Sequence, residues 1–130
     1  MVAKVQGNRG ATSLGGSKGI GITQAPDGSI GWVGVTGSAA GDVAYLRAVD
    51  CTSLDKVQQG YFFQATGGAT IDFTLVNGER ATNPDPTVQA NVPWANTLTL
   101  ATTAITKSPV AFAAIRVTFT GPGEVYVVAR

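Results

Sequence analysis

The sequence predicts an all-β protein: a single β-sandwich or jelly-roll-like domain of about eight strands, entered through an extended N-terminal arm. Three observations lead there. Short stretches in which apolar and polar residues alternate recur from about residue 18 onward, and a period of two puts one set of side chains on a core face. Turn signals built on Gly, Pro, Asn and Asp separate these stretches. Only one segment carries helix start and stop residues, and it is short. A chain of 130 residues has the size of one domain, so one core is expected.

Residues 1–17, MVAKVQGNRGATSLGGS, hold no sustained period and are broken by Gly7, Gly10, Gly15 and Gly16. They are expected to form the arm, ordered where a neighbour holds it. The domain is expected over 18–130. Ile20 and Ile22 alternate with small or polar residues, Pro26-Asp27-Gly28 signals a turn, and Ile30, Trp32, Val33 and Val35 continue the pattern, which predicts a hairpin. Val43 to Val49 reads as strand or two-turn helix, with β-branched ends favouring strand. Ser53 is a plausible cap for a polar helical turn that Gly60 would stop.

In the second half, 61–66 and 69–77 form a hairpin pattern across Gly67-Gly68, with Ala69, Ile71, Phe73, Leu75 and Asn77 on one face. Asn77-Gly78 then turns the chain. Residues 79–94 hold three prolines and read as a long loop with room for one helical turn. Alternation resumes at 96–102, and 110–120 is expected to meet 124–130 across Gly121-Pro122-Gly123.

Composition excludes several functions. The net charge of +1 supplies no global field for nucleic acid or a membrane surface, although Lys4, Arg9 and Lys18 precede the first acid, Asp27. The sequence has no apolar run long enough for a membrane span and no apolar block of a signal peptide, so a soluble chain made in the cytoplasm is expected. Cys51 is the single cysteine and there is no histidine, which excludes an intrachain disulfide, a histidine triad and a thiolate–imidazole zinc site. Cys51 is expected to be a small buried hydrophobe. Asp42, Asp50, Asp55, Asp72, Glu79, Asp85 and Glu124 are candidates for paired-carboxylate chemistry. Most fall at turns or on expected solvent faces, where acids are ordinary. Asn83-Pro84-Asp85-Pro86 lacks the acid density of a calcium loop and reads as a rigid loop. No catalytic residue, metal, cofactor or small-molecule substrate is expected.

Leu14 followed by GGSKGIGIT resembles the glycine turn of nicotinamide-dependent short-chain dehydrogenases. The strand that should precede such a turn is missing, Pro26 blocks the helix that should follow, and no tyrosine has a lysine four positions on. A glycine string outside that context is a coincidence of composition. Trp32, Phe63, Phe73, Phe112 and Phe119 fall in apolar strands and are assigned to the core or an interface.

The arm MVAKVQGNRGATSLGG and the closing hairpin AIRVTFTGPGEVYVVAR resemble, in style, the small accessory structural proteins of tailed-phage particles, above all capsid decoration or cement proteins. That resemblance implies a non-enzymatic virion protein on the capsid surface, a dimer or trimer bridging neighbouring subunits of the major capsid protein. The expected partner contacts are Lys4 and Arg9 in the arm with Pro84, Asp85 and Trp94 in or beside the proline loop. The alternative is a carbohydrate- or receptor-binding β module, such as a tail or fibre component, stacking ligands on Trp94 or Trp32.

Overall fold

The computed structural model describes residues 15–16, 21–24, 32–51 and 59–129, with side chains at 33–49, 51 and 59–129. The described residues form ten strands: β1 (Gly15–Gly16), β2 (Gly21–Gln24), β3 (Trp32–Gly37), β4 (Val43–Arg47), β5 (Tyr61–Ala65), β6 (Ala69–Thr74), β7 (Ala95–Leu100), β8 (Ile105–Lys107), β9 (Ala114–Phe119) and β10 (Gly123–Ala129). The eight from Trp32 onward make two four-stranded antiparallel sheets, in the orders β4-β9-β6-β7 and β3-β10-β5-β8. The first two strands extend these sheets, β1 beside β4 and β2 beside β3.

The two orders correspond place by place. Each strand is joined by a short link to the strand holding the same place in the other sheet: β3 to β4, β10 to β9, β5 to β6, and β8 to β7. The register brings all four links to one end of the sandwich. This is the strand order of a jelly roll, and it realises the all-β sandwich-like domain that the sequence predicts without its strand order.

The core lies between the sheets. Val33 and Val35 of β3, Val125 and Val127 of β10 and Phe63 of β5 meet Leu46 of β4, Ile115, Val117 and Phe119 of β9, and Ile71 and Phe73 of β6, all buried. Alternation delivers these residues: along β9, Ile115, Val117 and Phe119 point inward while Arg116 and Thr118 point outward. At the end away from the links, Phe112 closes the core, its ring 5.5 Å from that of Phe73 and 4.6 Å from that of Tyr61. Cys51 is buried there as a small hydrophobe, as expected.

Two expected hairpins are corrected. β5 and β6 do not pair across Gly67-Gly68, and β9 and β10 do not pair across Gly121-Pro122-Gly123; each link is an arch from one sheet to the other. Alternation cannot separate the two cases, because apolar faces oppose each other through the core in an arch and lie side by side in a hairpin. Contacts between the two arches decide the outcome. The Thr66 amide donates to the Glu124 carbonyl at 2.9 Å and the Thr120 amide to the Gly68 carbonyl at 3.0 Å. Thr66 Oγ1 accepts from the Glu124 amide at 3.0 Å. Gly67 is needed at this crossing, since a Cβ there would lie 2.6 Å from the Pro122 carbonyl oxygen.

The β3–β4 link is held by Asp42, whose Oδ2 accepts from the Ser38 amide at 2.9 Å, the Ser38 hydroxyl at 3.1 Å and the Ala39 amide at 3.0 Å. In the β7–β8 link the Thr103 amide donates to the Ala65 carbonyl at 2.8 Å, and its carbonyl accepts from Gln64 Nε2 at 3.0 Å. These bonds hold Thr103 at φ 66°, a left-handed conformation that costs a β-branched residue free energy.

Other expectations divide. β2 and β3 pair antiparallel, from Gly21 opposite Thr36 to Gln24 opposite Val33; the expected turn at 26–28 lies outside the described residues. The 43–49 segment is strand to Arg47 and then tightens into a 3-10 turn, Ala48–Cys51. Residues 52–58 of the expected helix lie outside the described residues. Leu75 does not join the inward face of β6, which ends at Thr74, and is 76% exposed. Instead of a simple turn, Asn77 caps a one-turn helix, α1 (Gly78–Ala81), and Asp85 caps a second, α2 (Pro86–Gln89). Strand β8 has no counterpart in the sequence reading, and residues 110–113 are loop where strand is expected.

Three substitutions test the linked end. Gly37→Ala places a Cβ 2.4 Å from the buried Phe119 ring and should lower stability by about 1–3 kcal/mol in urea unfolding, whereas Gly121→Ala, which meets nothing within 4 Å, should change it by less than about 0.5 kcal/mol. Thr103→Asn, which tolerates the left-handed conformation, should raise stability by about 0.5–1 kcal/mol in the same measurement.

Candidate interaction surfaces

The outer face of the β4-β9-β6-β7 sheet is covered in part by the excursion that carries α1 and α2. Sequence explains its shape. Asn77 Oδ1 accepts from the Glu79 amide at 2.9 Å, and Asp85 Oδ1 accepts from the Thr87 amide at 2.9 Å and the Thr87 hydroxyl at 2.8 Å, so two N-caps start two helical turns. Pro86 occupies the first turn of α2, where its missing N–H costs nothing. Ala81 and Val92 bury against Ala114 of β9, with Val76 and Trp94 packed around them.

Beneath the excursion, register aligns Tyr45 of β4, Arg116 of β9 and Asp72 of β6 in one row. Arg116 donates to Asp72 Oδ2 from Nε at 3.1 Å and Nη2 at 2.8 Å. The Thr97 hydroxyl donates to the other carboxylate oxygen. Asp72 is only 7% exposed, so the outward face on which it sits is covered at this point. The guanidinium also lies over the Trp94 ring, 5.1 Å from its centroid, and Tyr45 stands 6.1 Å from the same ring. Trp94 Nε1 donates to Gln89 Oε1 at 3.0 Å.

The outer face of the other sheet is different. One row reads Trp32, Val128, Phe62 and Lys107, and the next reads Thr23, Gly34, Tyr126, Gln64 and Ile105. Phe62, Val128 and Tyr126 are half-buried, and Ile105 is 71% exposed. The Tyr126 hydroxyl donates to Glu124 Oε1 at 2.9 Å. The Trp32 side chain lies outside the described residues.

The expected contact residues separate. Lys4 and Arg9 lie outside the described residues. Pro84 and Asp85 are exposed at the tip between α1 and α2. Trp94 sits at the base of the excursion, linked to that tip through Gln89, whose Nε2 donates to the Ala81 and Asn83 carbonyls at 2.7 Å each. Trp94 therefore anchors the loop to the sheet, with one ring face and its N–H already engaged. Hydrogen bonds from the Thr87 hydroxyl and amide hold the Asp85 carboxyl below its ordinary range, with a small opposing effect of burial. Among the described residues no group of three His, Cys, Asp or Glu side chains is placed to hold a metal ion. Sequence reasoning missed the Asp72–Arg116 pair and the apolar outer face around Phe62. Both were visible as outward positions in alternating strands, but only strand order shows which lie side by side.

Burial pushes up the pKa of Tyr45, against the charge of Arg116, and that of Tyr61, helped by neighbouring Cys51. The hydrogen bond to Glu124 raises that of Tyr126, with burial and the carboxylate charge adding to it. The fold thus favours neutral phenols. Stability should be fully retained below the unfolded tyrosine value of 10.0 and fall as pH rises through the folded values, to be followed by phenolate absorbance and urea midpoints. Arg116→Met strips a buried carboxylate of its partner and should cost about 3 kcal/mol. Glu79→Gln, at an exposed carboxylate 3.7 Å from the half-buried Arg47, should cost less than about 0.5 kcal/mol in the same unfolding assay.

Comparison with protein-family models matches none, and comparison with curated proteins finds no similar chain.

Proposed function

We propose that the protein is a structural component of a phage particle, a capsid decoration or cement protein that binds across neighbouring capsid subunits and stabilises the shell. The observation that supports this reading is the outer face around Phe62, Tyr126, Val128 and Ile105. It presents apolar and aromatic side chains on a rigid sheet, with Lys107 and Glu124 at its margins. Such a face suits protein contact: aromatic residues supply large contact area, and sparse charge lowers the desolvation cost of docking.

The mechanism is additive. Each copy buries modest area on adjacent subunits, and many copies together offset the pressure that drives the shell apart. The arm, with Lys4 and Arg9, and the exposed Pro84–Asp85 tip would extend these contacts to a neighbour. The sugar-binding alternative has weaker support, because Trp94 commits a ring face to Arg116 and its N–H to Gln89.

Binding to particles of the phage that encodes the chain tests the proposal. Phe62→Ser with Ile105→Ser should weaken binding at least about tenfold while leaving unfolding cooperative, and deletion of residues 1–14 should weaken binding with the domain still folded. Undiminished binding by both variants would refute the proposal. A glycan-array signal lost with Trp94→Ala would replace it with the sugar-binding alternative.

A further inference from the structure

Strand β7 is the outer strand of its sheet. One side pairs with β6, and among the described residues no strand pairs with the other. Natural sheets guard such an edge with charge, proline, a short strand or a covering segment. β7 has six residues without proline, and residues 86–106 contain no Lys, Arg, Asp or Glu. Its only irregularity is at the start, where Asn96 and Thr97 span the ladder against Asp72 alone and Asn96 sits at φ 56°, a bulge. From Leu98 to Leu100 the edge is regular.

We propose that this edge is the interface of a two-fold homodimer, in which β7 pairs antiparallel with β7 of a second copy. The unpaired N–H and C=O groups of an edge call for another extended strand. Residues directly opposite each other must face the same side of the joined sheet. The longest such register clear of the bulge centres on Thr99. Thr99 then stands opposite its own copy on the outer face, and Leu98 opposite Leu100 on the core side.

This self-complementarity selects a second copy over an unrelated strand. Threonine meets threonine and leucine meets leucine, and the uncharged stretch avoids the like-charge contacts that a two-fold axis imposes. The same register carries the Thr102–Ala104 turn of each copy past Asn96 and Ala95 of the other. There it reaches an open cleft of about 560 Å³ lined by Phe73, Leu75, Val76, Pro93, Ala95 and Val110. The inference deepens the assembly reading, and it rests on that reading for its self-association.

Sedimentation equilibrium of the full chain, run beside particle binding, tests it. The wild type should be a dimer. Thr99→Lys and Thr99→Glu should each weaken self-association at least about tenfold, without loss of cooperative unfolding, because two like charges meet at the axis. An equimolar mixture of the two variants should restore the dimer. A wild type that remains monomeric at about 0.5 mM (a bound set against ordinary dimer affinities), variants that dimerise like the wild type, or a mixture that stays monomeric would each overturn it. A monomeric wild type whose particle binding is lost with Thr99→Lys would assign the edge to a strand of the shell and likewise overturn it. A dimer with this charge dependence that ignores particles would refute the assembly reading alone, and a monomer that binds them would refute the dimer alone.

Discussion

The close approach of two glycine links, at Gly67 and Gly123, is the constraint on which the rest of the molecule depends. The Gly67 amide nitrogen and Cα lie 3.0 Å from where a Cβ on Gly123 would stand. Only two residues without side chains can cross so near each other. Their meeting sets the spacing of the sheets at that end, and the hydrogen bonds among Thr66, Gly68, Thr120 and Glu124 lock the crossing. With the sheets held at that distance, Phe63, Phe119 and Ile71 fill the gap and the neighbouring links follow the same path.

The two outer faces then take separate roles. Around Asp72 and Arg116 the chain turns back on itself, and a partly buried ion pair, in which both carboxylate oxygens accept hydrogen bonds, gives Trp94 a fixed seat. Such a pair adds little net stability over an apolar replacement, but its geometry is directional. It specifies where the excursion lands. The face around Phe62 has no such cover from the excursion, and it is the surface on which the proposed function draws.

Much of the fold was legible. The alternating residues of β3, β4, β6, β9 and β10 named their own inward sets, and the turn residues at 67–68 and 121–123 marked the breaks between strands. Whether a break is a hairpin or an arch was not legible, because it depends on contacts between links more than fifty residues apart, such as Thr66 with Glu124. Leu75 continued the period of β6 but left the strand, since the cap at Asn77 starts a helix immediately afterwards. Of the candidate contact residues, Pro84 and Asp85 are exposed as a proline loop suggests. Trp94 is a packing residue because its partners come from β4 and β9, a neighbourhood that strand order alone defines.

Place-by-place matching of the sheets also bears on how the molecule is made. β10 emerges from the ribosome after the other nine strands, yet it fills the middle of its sheet, between β3 and β5. Until it arrives, β3 and β5 have no common neighbour, and Val33 and Val35 of β3 lack the Val127 and Val125 that stand beside them in the finished sheet. Partial closure of the sandwich during synthesis is therefore unproductive, and folding must wait for contacts between distant parts of the chain. Topologies dominated by such distant pairings fold slowly and expose strand edges while they do so. The newly made chain accordingly passes through a vulnerable interval in which chaperone capture and misassembly compete with the final insertion of one strand.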